Sequence, residues 1–167
     1  MTGSSTGGGV ASSSGSPGSR LRARGTLLGQ TWLALHRARV ELASEPLPPS
    51  SPFAVQLTVT GLEGAVTPTV VKSLIDGTVA AFQAHGDPSE MARRVGASLG
   101  VRTDEVAGVL SRRDRAVLGI RPRLLWRWRD VVQWNPGDDA CLAGEVLAEA
   151  GGGGWSVGGR VTEIESA

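Results

Sequence analysis

The chain of 167 residues holds one cysteine, one lysine, no tyrosine and two phenylalanines. A lone Cys141 closes no intramolecular disulfide and cannot supply a cysteine-based zinc cluster, so a reducing cytoplasm is the expected compartment. The two histidines, His36 and His85, fall in no His-x-x-x-His ligand spacing. No Gly-Lys-Ser/Thr follows the glycines of GGGGWSVGG, and no Gly-x-Ser-x-Gly element occurs, which removes the phosphate loop and the nucleophile elbow. No apolar run is long enough to span a bilayer. In RLRARGTLLGQTWLALHR basic residues precede a short apolar run, but Gly29, Gln30 and Thr31 interrupt it, so export is not expected.

What is present begins with a run of Gly, Ser and Thr over residues 1–19. Such a composition buries too little apolar surface to offset the entropy of ordering it, and predicts a disordered tail over 1–24. A globular domain is expected over 25–150, then a Gly-rich linker and a C-terminal strand over 151–167. The net charge of +1 hides a division. Ten Arg stand against three acids between Met91 and Arg129, and seven acids against Arg160 alone after that. Either one side faces a polyanion or the two halves attract each other. Sixteen of the seventeen basic residues are Arg, a bias that a GC-rich genome also produces.

Periodicity predicts a small single α+β domain with a helical hairpin and short antiparallel strands. Residues 25–43 read as a helix, the Pro-rich 45–52 as an extended connector, and FAVQLTVTG as a half-buried strand ended by Gly61. Thr67 and Pro68 open a helix running to a stop at Gly86. Asp87-Pro88-Ser89-Glu90 opens a second in a capping-box pattern, stopped by Gly100, and Thr103 caps a third with Asp104 and Glu105 in its first turn. RLLWRW and VVQW predict a hairpin with its tip at Arg129-Asp130. Asp139 is expected to cap a helix over ACLAGEVLAEA, and GRVTEIE to be the last strand. With few other aromatics, Trp126 and Trp128 are expected in the core and Trp134 partly exposed. Cys141 is expected to be buried and structural.

ARRVGASLGVRTDEVAGVLSRR resembles the helix-turn-helix of DNA-binding regulators, with Gly96 allowing close approach and Gly100 at the turn. The hairpin from Leu124 to Trp134 stands where a winged-helix protein has its wing, so the resemblance spans 55–134. It implies DNA binding without catalysis and without a cofactor. Arg112, Arg113 and Arg115 would lie behind the third helix, and Arg127 and Arg129 would reach phosphates or a minor groove. The plain packing alternative is an αα-corner.

A second resemblance rests on VKSLIDGTVAAF and NPGDD. Lys72 and Asp76 one helical turn apart, followed later by Asp138 and Asp139, are similar to the Lys, Asp and Asp-Asp pair of RusA-like crossover-junction endonucleases. That resemblance implies Lys72 and Asp76 as catalytic groups and Mg²⁺ held by Asp76, Asp138 and Asp139. Where the family carries Asp-x-Asp-Asn this chain has Val66, Pro68 and Thr69, and its gap to Asp138 is longer. The same residues also make an ordinary i,i+4 ion pair and a turn. A third reading, a scaffold subunit with a protein partner or a homodimer, explains the Gly/Ser tail and the charge division equally well; no membrane partner is expected.

Overall fold

The computed structural model describes residues 8–12, 26–42, 45–48, 50–129, 131–152 and 154–164. In chain order the elements are β1 (Gly8–Ser12), α1 (Leu27–Arg37), β2 (Arg39–Leu42), β3 (Phe53–Thr60), α2 (Pro68–Ala81), β4 (Ala84–His85) and α3 (Ser89–Leu99). They continue with α4 (Thr103–Leu110), β5 (Ile120–Arg121), β6 (Leu125–Trp128), β7 (Val131–Trp134), β8 (Cys141–Glu149) and β9 (Ser156–Glu163). The fold is α+β. One five-stranded sheet has the order β2-β1-β9-β3-β8, and β4-β5 and β6-β7 are separate two-stranded pairs.

The alternation of FAVQLTVT places β3 as expected: Val55, Leu57 and Val59 are buried while Gln56 and Thr58 are exposed. α1 and α2 pack over the buried face of the sheet. They cross closely because Gly77 has no side chain; a Cβ there would stand 2.6 Å from the Leu28 carbonyl oxygen and 2.7 Å from the Thr31 Cβ. Trp32, Leu74 and Val79, all wholly buried, fill the layer between helices and sheet. Each such side chain contributes about 1.5–3 kcal/mol by leaving water.

Helix starts follow their caps in two cases. Thr26 accepts from Gly29 N at 3.2 Å and Thr67 accepts from Val70 N, with Pro68 in the first turn. The capping box expected at Asp87–Glu90 does not form, since Pro88 is the N-cap and has no side chain to offer. Asp87 N instead donates to His85 Nδ1 at 3.0 Å. Thr103 is likewise the first helical residue rather than the cap, which is Arg102. Gly100 takes the left-handed stop at φ 69°, as its position predicts.

Three stretches differ from expectation. The first helix ends at Arg37 and the chain continues as β2. α2 ends at Ala81, and Ala84–His85 pair with Ile120–Arg121 in parallel instead of extending the helix to Gly86. Residues 8–12, inside the stretch expected as a disordered tail, form β1 between β2 and β9; most of 1–24 and the hairpin-tip Asp130 lie outside the described residues.

The largest correction concerns ACLAGEVLAEA. It is not a helix capped by Asp139 but the edge strand β8, parallel to β3 over its whole length. Its Ala, Leu and Glu favour helix only weakly, Gly144 opposes helix by about 1 kcal/mol, and pairing along the free edge of β3 outweighs the sum. β9 sits inside the sheet, antiparallel to both β1 and β3. Among the described residues no helix is long and apolar enough to cross a membrane.

Candidate functional site

Two regions gather the residues that the sequence singled out. The first is the β6-β7 hairpin. Its register pairs Leu125 with Trp134, Trp126 with Gln133, Arg127 with Val132 and Trp128 with Val131. Alternation then decides the two faces. Leu125, Val132 and Trp134 turn inward, where Trp134 meets Trp32 at 5.2 Å between ring centroids; Arg127, paired with Val132, lies on this side with its end exposed. Trp126, Trp128 and Val131 turn outward and are 42%, 54% and 58% exposed.

This reverses the expected placement of Trp126 and Trp128 in the core. Leu124 and Leu125 are adjacent and both buried, so the alternation can be read in either phase from the sequence. A shift of one residue exchanges the faces of a strand, and the large inward Trp134 selects the phase that leaves the other two indoles in water. Their centroids are 5.7 Å apart with ring planes at 62°, an edge-to-face corner.

The hairpin is tied down at its base. Because Asp87 N–H donates to His85 Nδ1, the ring proton is assigned to Nε2, which donates to the Leu125 carbonyl at 3.2 Å. Asn135 N donates to the Leu124 carbonyl at 2.8 Å. At the tip, Arg129 adopts φ 55°, the left-handed region, and its carbonyl accepts from Arg127 Nε at 2.6 Å. Arg123 and Arg129, both exposed, flank β6 at its two ends, while Arg127 is exposed on the face opposite the indoles; residues 115–129 contain five Arg and no acid.

The helical corner preceding the hairpin has the geometry its glycines predict. Val101 N donates to the Gly96 carbonyl, and a Cβ on Gly96 would stand 2.7 Å from the Val101 oxygen. What α4 shows to solvent is another matter. Its exposed positions are Thr103, Asp104 and Gly108, with Ser111 just beyond, while Val106 and Leu110 are buried. Glu105 holds Arg37 of α1 at 2.7 Å.

The Arg cluster behind α4 is divided in role. Arg112 forms a two-pronged pair with Asp114, Nε to Oδ1 at 3.1 Å and Nη2 to Oδ2 at 2.6 Å, which raises the Arg and holds the Asp below its ordinary range. Arg115 turns inward: its Nη1 donates to the carbonyls of Leu35, His36 and Ala38, satisfying the end of α1. Burial lowers its pKa. Arg113 is exposed.

The second region is a cleft of about 580 Å³ between the start of α2 and the start of β8. Val66, Pro68, Val71 and Ile75 line one side, Cys141 to Gly144 the other, and Lys72, Asp76 and Asp138 the rim. Lys72 Nζ donates to Asp76 Oδ1 at 3.0 Å and, across 66 positions of sequence, to Asp138 Oδ2 at 3.3 Å. The bond to Asp76, with that to Asp138, raises the Lys72 pKa. Gln83 fixes the acidic loop by accepting from Gly137 N at 3.0 Å and donating to its carbonyl at 3.4 Å. Asp139 is exposed and stands outside the cleft lining. Cys141 is half-buried rather than buried, and its pKa is raised chiefly by desolvation.

The donor set of this cleft does not suit Mg²⁺. Two carboxylates share one ammonium, and the walls at positions 66 and 68 are a Val and a Pro. Holding Mg²⁺ against its hydration takes several converging oxygens. Among the described residues no group of three or more His, Cys, Asp or Glu is placed to hold a metal. His36, Arg115 and the outward indoles carry the features that the sequence left unseen, and only the phase of RLLWRW offered a signal for them. Compared with known proteins, the chain matches no family model, no curated protein and no solved structure.

Proposed function

We propose that the chain is a non-catalytic DNA-binding module whose contact surface is the β6-β7 hairpin. The observation that supports it is the pair of exposed indoles, Trp126 and Trp128, on a ribbon anchored from below, with exposed Arg123 and Arg129 at the two ends of β6 and Arg127 exposed on its other face. Cations beside flat aromatic faces suit a phosphodiester chain carrying bases. Arg113 extends the basic side, whereas Arg112 and Arg115 serve Asp114 and the end of α1 and contribute through the fold. α4 is not the reading element in this proposal, because acids occupy its first turn.

The test is binding of labelled duplex and four-way-junction DNA in EDTA across a salt series. The logarithm of affinity is expected to fall linearly with the logarithm of salt, at a slope of about −0.9 per phosphate neutralised. Arg127→Ala with Arg129→Ala is expected to flatten it by about 2. Absence of binding to any DNA at low salt refutes the proposal.

One observation favours a second reading, kinship with the RusA-like endonucleases. A strand follows the acidic pair, and Asp138 reaches the Lys72–Asp76 turn of α2. In that reading the scaffold persists while Val66 and Pro68 stand where the metal-binding acids belong, so adding Mg²⁺ to bound junction is expected to leave it uncut. Cleavage that disappears in Asp76→Asn would instead establish an active nuclease.

A further inference from the structure

Resting on the DNA-binding reading, we infer that the ligand of the hairpin is single-stranded DNA, its unpaired bases stacked on Trp126 and Trp128. The outward face is built for base faces rather than base edges. Of its four side chains, two are indoles and one is Val131, leaving Gln133 as the one side chain with both a donor and an acceptor. A duplex hides its base faces and offers only edges in the grooves, which are read by hydrogen bonds. A single strand exposes those faces, and stacking on aromatic side chains is how they are taken up.

The arrangement of the two rings fits this use. An edge-to-face corner at 62° cannot be filled by one flat group lying on both rings. Successive bases, free to turn about the backbone of a single strand, can each meet one indole. Charge complementarity points to the same occupant. The stretch from Arg115 to Arg129 carries five Arg and no acid, and Arg123 and Arg129, both exposed, stand at the two ends of the strand that carries the rings. A neutral apolar partner would gain nothing from those cations.

Preorganisation supplies the third argument. Trp134 on Trp32, His85 on the Leu125 carbonyl and Asn135 on the Leu124 carbonyl fix the ribbon before any ligand arrives. Little ordering is left for the binding step, which favours affinity. The alternative DNA contact, α4 in a major groove, would present Thr103, Asp104 and Gly108 to phosphates and bases. The acid of that face, Asp104, already holds the neighbouring cation, Arg102, at 3.2 Å.

The experiment compares fluorescently labelled oligo(dT) with a blunt duplex of equal length, by anisotropy in EDTA, using the full chain. Oligo(dT) is expected to bind at least about ten times more tightly. Trp126→Ala and Trp128→Ala are each expected to weaken oligo(dT) by roughly 5- to 150-fold, the range for losing one stacked base, with the salt slope unchanged. Trp126→Phe and Trp128→Phe should restore most of the affinity, since a ring remains. Both positions are exposed, so thermal melts of the variants should match the parent.

Duplex binding equal to oligo(dT), or oligo(dT) binding indifferent to both Trp→Ala variants, overturns the inference and leaves DNA binding standing. Failure of every DNA to bind overturns both and assigns the apolar face to a protein partner.

Discussion

His36 lies on α1 under the Arg cluster, 6% exposed, and neither ring nitrogen has a hydrogen-bond partner among the described residues. It packs edge-on against Trp32, whose Nε1 is equally unpartnered. Burial, helped by the charges of Arg115 and Arg112, pushes its pKa from 6.5 down to about 3. The folded chain thus refuses a proton that the unfolded chain accepts. That preference stabilises the fold in full above pH 6.5 and is lost as pH falls toward 3. Urea unfolding is expected to lose about 1.4 kcal/mol per pH unit on the descent from 6.5 to about 4. Asp114, held below 3.8 by Arg112, adds its own loss only lower down. His36→Leu should abolish the slope in the upper window, and a slope that survives the substitution refutes this assignment. Leu also removes two buried unpaired nitrogens, so stability at neutral pH should not fall.

Among the elements, the hairpin shows the clearest conflict between local and functional demands. Its turn places Arg129 at φ 55°, where a β-carbon costs energy and glycine does not. Arg129→Gly is expected to stabilise the protein by about 0.5–1 kcal/mol while weakening DNA binding. Opposite signs in a melt and a titration would identify Arg129 as kept for contact rather than for folding; loss of stability on substitution would contradict that.

The elements also show what a sequence can and cannot disclose. β3 was legible from strict alternation, α2 from Thr67 and Pro68, and the α3–α4 corner from Gly96 and Gly100, because each signal is local. The Lys72–Asp76 pair was legible for the same reason. β8 was not: its residues prefer helix, and only the vacant edge of β3, far off in sequence, makes them a strand. Nor was the outward turn of Trp126 and Trp128, which depends on Trp134 meeting Trp32 on another helix. Arg115 is indistinguishable in sequence from its neighbours, yet it closes the end of α1.

On the scale of the whole molecule, the charge division of the sequence is answered in part by pairs between nearby groups. Arg102 and Arg112 pair with the nearby Asp104 and Asp114, and Glu145 lies on the open face of the sheet beside Gln56, which also receives Arg160. The five-stranded sheet depends on β9, which pairs with β3 and β1 at once. Removing residues 151–167 strips β3 of its antiparallel partner and bares Leu57 and Val59. The shortened chain is expected to show no cooperative unfolding transition by circular dichroism; a sharp melt near the parental temperature would contradict this.

The position of β9 bears equally on how the protein is made. A chain emerges from the ribosome N-terminus first, yet the strand that must slot between β1 and β3 is the last of the sheet to be synthesised. β8 must also return across the whole of 61–140 to lie parallel to β3. Contacts this distant in sequence form slowly and leave apolar strands waiting. The helical hairpin can condense during translation, but the sheet cannot close until synthesis has passed β9, so nascent copies of this protein spend their growth as clients of whatever shields unpaired strands.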